Sequence, residues 1–188
     1  MRKDYADDLD NLSGSLLLAH PSLSDPNFRR SVVLISAHSS DDGAIGVVIN
    51  KPLHKTLGEM DDRFAEGPLA KVPLYMGGPV CPDQMLLAAW NWAEDEGTFR
   101  FFFGLDVDNA RALIESQPGA NIRGFLGYSG WGEGQLEGEL AQEAWVTTPL
   151  DGETLGDVDN EEVWRAILGK VQPDLLFLAD APEDPSQN

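Results

Sequence analysis

Between Gly124 and Leu140 the chain reads Gly-Phe-Leu-Gly-Tyr-Ser-Gly-Trp-Gly-Glu-Gly-Gln-Leu-Glu-Gly-Glu-Leu, and no other stretch constrains its fold as much. Phe125-Leu126 reads as a short apolar strand. Glycines follow at Gly127, Gly130, Gly132 and Gly134, and then a helical pattern with Leu136 and Leu140 four apart. Glycine at this density permits positive φ and close approach of backbones, which side chains would block. A glycine loop that opens a helix can cradle a phosphate on free N–H groups at the positive end of the helix dipole. Glu133, Glu137 and Glu139 oppose that use. The spacing matches neither the P-loop nor the dinucleotide fingerprint, and no lysine follows. The stretch therefore predicts a tight strand-to-helix turn packed by Tyr128 and Trp131.

The 188 residues suit one domain with a sizeable core, and the 42% hydrophobic content fits a globular chain. No apolar run approaches the roughly 20 residues that span a bilayer. The start, Met1 to Asp8, has no apolar signal region, and Cys81 is the single cysteine. A reduced, cytoplasmic setting without membrane attachment is the expectation. With 32 acids against 13 bases the net charge is −19, and Gly132 to Glu162 holds ten acids and no Lys or Arg. Nucleic-acid affinity needs cations that displace counterions from phosphates, so direct DNA binding is disfavoured. The acidic run reads as a solvated face.

Along the chain, Ser15–Ala19, Ser31–Ser36 and Ala44–Asn50 read as strands, the last two joined as a hairpin through Ser39–Gly43. Their continuous apolar runs predict cover on both faces. Thr56 with Glu59 forms a capping-box pattern before Leu57, Met60 and Phe64 on one helical face. Val72–Met76, Met85–Trp90 and Phe99–Phe103 are further strands, the last two joined by the acidic turn Glu94–Gly97. Asp106 or Asp108 caps a helix with Val107, Ala110, Leu113 and Ile114 on its core face, ended by Pro118-Gly119. After the glycine stretch come a strand at Trp145–Thr148, a helix capped at Asp159 and an apolar piece at Leu175–Leu178. The pattern predicts a flexible acidic arm at 1–11, one α+β domain at 12–179 and a disordered tail at 180–188.

Several blocks together resemble the YqgE/AlgH family of bacterial proteins. Gly127-Tyr128-Ser129-Gly130-Trp131-Gly132 with Gly134-Gln135-Leu136-Glu137 is similar to its signature. Gly14–Ala19 with Pro21, Asp25–Phe28 with Arg30–Val33, Gly43-Ala44, Gly46–Pro52 and Gly77–Val80 match further blocks in order, so the likeness spans roughly Leu12 to Leu178. It implies a single compact α+β domain with a large mixed, partly barrel-like sheet flanked by helices. Members carry a transcriptional-regulator label that names no chemistry. The family more often has Ala where this chain has Ser129, so the resemblance gives that serine no role.

Ser129 falls one residue short of a nucleophile elbow, because Trp131 stands at the second glycine position. Among the histidines only His20, at a strand end, could serve it as a base; His38 lies in the hairpin turn region and His54 in a loop. No catalytic residue, metal-ligand spacing or cofactor motif follows. Asp41-Asp42 and Asp61-Asp62 read as turn and helix-surface residues, and Cys81 as a small buried packing residue. The candidate site is a polar set near strand ends: Asn27, Arg30, Asn50, Lys51, Gly77, Gly78, Tyr128, Trp131 and Gln135. Converged, these loops would give a cleft with backbone donors, an aromatic wall and local positive charge, suited to a small anionic or planar ligand. The competing reading has the asparagines satisfying turn backbone groups and the arginines paired with acids. The function expected is a non-enzymatic binding or regulatory role through a small ligand or a protein partner. The alternatives are an enzyme with a site at the glycine-loop cleft, and a transcriptional regulator acting indirectly.

Overall fold

The computed structural model describes residues 11–93, 98–117, 119–150 and 161–179. The arm at 1–11 (save Asn11), the tail at 180–188, the turn Glu94–Gly97, Pro118 and the Asp159 cap lie outside the described residues.

Three strands carry the continuous apolar runs: β1 (Ser15–Ala19), β2 (Val32–Ser39) and β3 (Gly43–Val48), with β2 and β3 paired as the expected hairpin. Strand side chains alternate between faces. Leu16, Leu18, Val32, Leu34 and Val47 enter one core, whereas Leu17, Ala19, Val33, Ile35 and Val48 enter another. Both faces are therefore covered, and each fully buried leucine contributes about 1.5–3 kcal/mol.

The remaining strands are β4 (Pro52–Thr56), β5 (Pro73–Met76), β6 (Val80–Ala93), β7 (Thr98–Leu105), β8 (Asn121–Trp131) and β9 (Trp145–Pro149). Pairing runs β4-β5-β8-β3-β2-β1-β9, with β6 on β8 and β7 on β6. The β5–β8 pair is parallel and the others antiparallel, so the sheet is mixed. Among the described residues no pairing links β4 or β7 to β9, so the sheet is open rather than partly barrel-like.

Gly132–Gly134 forms the expected tight turn from strand to helix, but the glycine stretch before it is not a loop after a short strand. It is the spine of the sheet. β8 runs unbroken to Trp131, pairing with β5 through Gly124–Leu126 and with β3 through Ser129–Trp131. The glycines allow this change of neighbour. At Gly127, φ is +68° and an added Cβ would lie 2.4 Å from the Gly78 carbonyl oxygen. A Cβ on Gly77 would in turn lie 2.3 Å from the Gly127 carbonyl oxygen, so two backbones cross where no side chain fits.

Helices α1 (Leu57–Met60), α2 (Val107–Ser116), α3 (Gln135–Ala141), α4 (Glu161–Val171) and α5 (Leu176–Ala179) flank the sheet. The capping box Thr56–Glu59 forms, but α1 stops after one turn and Met60 is exposed, so the expected apolar face does not extend through it. Asp106 caps α2 by accepting from the Asn109 N–H at 2.7 Å. α3 lies on the core of Leu17, Val33 and Trp131, and α4 inserts Trp164, Ile167 and Leu168 into the core on the opposite face.

Candidate functional site

The residues expected to form a site separate into three local arrangements. In the first, buried Asn50 accepts from the Val32 N–H (2.8 Å) and donates to the Arg30 carbonyl (2.9 Å). The Lys51 ammonium donates to the Asn27 carbonyl at 2.7 Å, while Arg30, at φ 52°, lies over the Trp164 ring and reaches the Ala179 carbonyl. These contacts brace the 25–31 loop against the end of β3. In the second, the Gly77 carbonyl accepts from the Val48 N–H (2.8 Å) and the Ser129 hydroxyl (3.1 Å). Ser129 is fully buried and its proton is engaged there, which leaves it no role as a nucleophile. Tyr128 packs half-buried against the neighbouring core.

The third arrangement centres on a residue outside the expected set. One carboxylate oxygen of Glu139 accepts from both indole N–H groups, Trp131 at 2.9 Å and Trp145 at 2.7 Å. Its other oxygen accepts from the Gln135 amide at 3.0 Å. Phe28 stacks on Trp131 and meets Trp145 edge-on. One carboxylate thereby ties α3 to both β8 and β9. Cys81, expected to be buried, is exposed at φ 47° in the irregular stretch of β6 between Val80 and Met85.

A cleft of about 670 Å³ lies beside this aromatic group. Leu140 and Ala141 of α3, Trp145 and Val146 of β9, and Val171 and Leu175 from the C-terminal helices give it an apolar lining. His20, Glu137, Glu143, Thr147 and Gln172 supply its polar groups. A volume of this size suits a small ligand or a short peptide. A smaller cleft of about 490 Å³ lies over β4 and β5 between His54, Lys55, Glu59 and Tyr75. None of the nine expected site residues lines either cleft.

Glu137 connects the larger cleft to the interior. Its Oε1 lies 2.8 Å from Nε2 of His38, whose ring is buried and whose Nδ1 accepts from the Leu12 N–H at 3.0 Å. That acceptor role places the neutral ring's proton on Nε2, which donates to Glu137. Glu137 Oε2 is shielded from solvent and has no hydrogen-bond partner. Burial pushes the Glu137 pKa up, but its own backbone N–H and the His38 contact outweigh this and hold it below the ordinary value. His20 Nδ1 meets the Ser22 hydroxyl at 2.7 Å and accepts from the Ser22 N–H at 3.2 Å.

Another arrangement lies outside the expected set. Arg123 is buried between the rings of Tyr75 (4.6 Å) and Trp90 (4.8 Å) and donates to the Ile49 carbonyl at 3.3 Å. Among the described residues no group of three or more His, Cys, Asp or Glu is placed to hold a metal ion, and no helix is long and apolar enough to cross a membrane.

The family model described as AlgH-like (DUF179) matches residues 16–176. The chain belongs to the AlgH-like family. A UPF0301 protein of Streptomyces coelicolor is 34% identical over 195 residues, covering 96% of this chain and 97% of its own. One from Xanthomonas campestris is 35% identical over 182 residues, covering 90% and 94%. The solution structure of the AlgH protein from Pseudomonas aeruginosa superposes with a TM-score of 0.65 at 28% identity, covering 98% of this chain and all of that one. A crystal structure of a Corynebacterium diphtheriae protein gives the same TM-score at 24% identity over 90% of this chain and 92% of its own, a likeness of fold alone. The AlgH-like relatives thus share this α+β architecture along nearly the whole chain, and the UPF0301 name states no reaction.

Proposed function

We propose that this AlgH-like chain is a non-enzymatic binding or regulatory domain of the bacterial cytoplasm, and that its ligand or partner occupies the cleft between α3, β9 and the C-terminal helices. The observation that carries this reading is the composition of the cleft: an apolar floor with Glu137 and Glu143 among its polar groups. Residues that could have supplied chemistry at the glycine stretch are used to hold the fold. Ser129 bonds Gly77, and Glu139 bonds two tryptophans. Any regulatory effect on transcription is indirect, since a net charge of −19 opposes binding to DNA.

A thermal-shift screen against amines, short peptides, nucleotides and phosphorylated metabolites tests the reading, with Ala141→Trp as the control that fills the cleft from an exposed helix position. A ligand at a hundredfold excess over its Kd stabilises the native state by about 2.7 kcal/mol. Hits that Ala141→Trp abolishes support the cleft; hits that it leaves unchanged overturn it.

One contact favours a catalytic reading. The Ser22 hydroxyl lies 2.7 Å from Nδ1 of His20, the spacing of a serine and its base, and His20 lines the cleft. Labelling of Ser22 by a fluorophosphonate, lost in His20→Ala, would support it; an unlabelled protein would remove it.

A further inference from the structure

We propose that the occupant of this cleft is an extended basic segment of a partner protein, which adds to β9 as an outer strand. The inference rests on the cleft being the binding site and says what fills it. Its first support is the direction of the backbone. At the end of β1, the Ala19 N–H donates to the Ser31 carbonyl, towards β2, whereas the N–H of the next residue, His20, donates to the Ala144 carbonyl, towards β9. Backbone groups alternate along a strand. Leu16 and Leu18 therefore make the hydrogen-bonded pairs with Thr148 and Val146, their partners in the register. Trp145 and Thr147 then turn N–H and C=O away from β1. Among the described residues β9 pairs with no other strand, and those two residues line the cleft. Pro149 ends the edge, because it has no N–H to offer.

The second support is what stands on either side of that edge. Trp145 faces the α3 core and Val146 faces the α4 core, so the edge lies between the two layers. A strand added there would present one row of side chains towards α3, which contributes Glu137 and Leu140, and the other towards Val171 and Leu175. Lysine suits the first row: its stem covers Leu140 while its ammonium meets the acidic lining of Glu137 and Glu143, Glu137 being held in place by His38 on Oε1. Apolar residues suit the second. The favoured occupant alternates basic and apolar side chains, and the net charge of −19 draws such a segment in. A small diamine could reach the carboxylates but has nothing to pair with the strand edge.

The experiment uses the full chain and the peptide Lys-Val-Lys-Val-Lys-Val, beside its Glu-Val counterpart, a form with alternate backbone nitrogens methylated, and 1,5-diaminopentane. Binding is read by anisotropy and by amide exchange at Trp145 and Thr147. The basic peptide is expected to bind, to slow exchange at both amides and to weaken as salt rises. Backbone methylation should weaken it about tenfold, as for one or two lost hydrogen bonds. Thr147→Pro removes the outward N–H together with a cleft side chain, and Thr147→Val removes the hydroxyl alone; the proline variant should keep the circular-dichroism spectrum and lose the peptide, while the valine variant keeps both. If the proline variant unfolds, the exchange at Thr147 in the unaltered chain still decides. Saturable binding at the cleft without amide protection, with the diamine competing as well as the peptide, overturns strand addition and leaves the cleft standing. No perturbation of cleft residues by any of these probes overturns strand addition, and unchanged hits in Ala141→Trp separately overturn the cleft itself.

Discussion

His38 and Glu137, 99 residues apart in sequence, meet at 2.8 Å and tie the start of α3 to the far end of the β2–β3 hairpin. The imidazole is held on its other side by the Leu12 N–H, so one ring links three segments. His38→Ala strands the Leu12 amide and frees Glu137. A buried group left without its partner costs about 1–3 kcal/mol. Urea unfolding should report a loss of that order, with the slope m unchanged.

The same pair predicts an acid limb. Glu137 has its pKa held below the ordinary carboxylate value of 4.5. A depressed carboxylate contributes stability that is fully present above its unfolded pKa and is lost as pH falls through the folded one. Stability measured from pH 6 down to pH 3 should therefore fall less steeply in Glu137→Gln than in the unaltered chain. Equal slopes would show that the contact carries no linkage.

Glu139 should couple the two tryptophans. Trp131→Phe and Trp145→Phe each remove one charge-assisted hydrogen bond to the same oxygen, worth about 1.5–3 kcal/mol. Because they share an acceptor, the double variant should depart from additivity by about 0.5–3 kcal/mol. Additive losses would mean that the carboxylate does not bridge them.

Two glycines of similar φ should respond unequally. Gly127 and Gly134 sit at +68° and +66°, but an added Cβ meets the Gly78 oxygen at 2.4 Å at the first and nothing within 4 Å at the second. Gly134→Ala is expected to cost about 1–2 kcal/mol, the left-handed penalty alone. Gly127→Ala should exceed about 4 kcal/mol, because backbone has to move. Thermal melts of the two variants decide this.

Much of the fold was legible in the sequence because local chemistry agreed with it. The apolar runs of β1 to β3 announced a doubly covered sheet, Ser39–Gly43 announced the hairpin, and Asp106 or Asp108 a helix cap, which Asp106 supplies. The strand-to-helix turn at Gly132–Gly134 was legible, but the strand running on through Gly127 to Trp131 was misread for a physical reason. Glycine is a turn former locally, and only the crossing of Gly77-Gly78 against Gly127 explains why an uninterrupted strand needs it. The candidate site was less legible. Asn50 satisfies loop backbone groups, as the competing reading had it, and Lys51, which that reading did not include, braces the same loop. The cleft draws on His20, Glu137, Trp145 and Val171, whose proximity depends on β9 pairing with β1 and on α3 and α4 lying on opposite faces. No spacing within the chain signals that. The fixing of Glu139 by tryptophans eight residues before and six after it was equally hidden.

The most direct test is an amide-resolved NMR titration of the full chain with the peptides and metabolites that score in the thermal-shift screen. Occupation of the cleft predicts saturable shifts centred on Leu140, Trp145, Thr147 and Val171, with Asn50, Lys51 and Gly77-Gly78 unmoved. Shifts centred instead on Asn50, Lys51 and the Gly77-Gly78 crossing would contradict the account and return the site to the strand ends where the sequence alone had placed it.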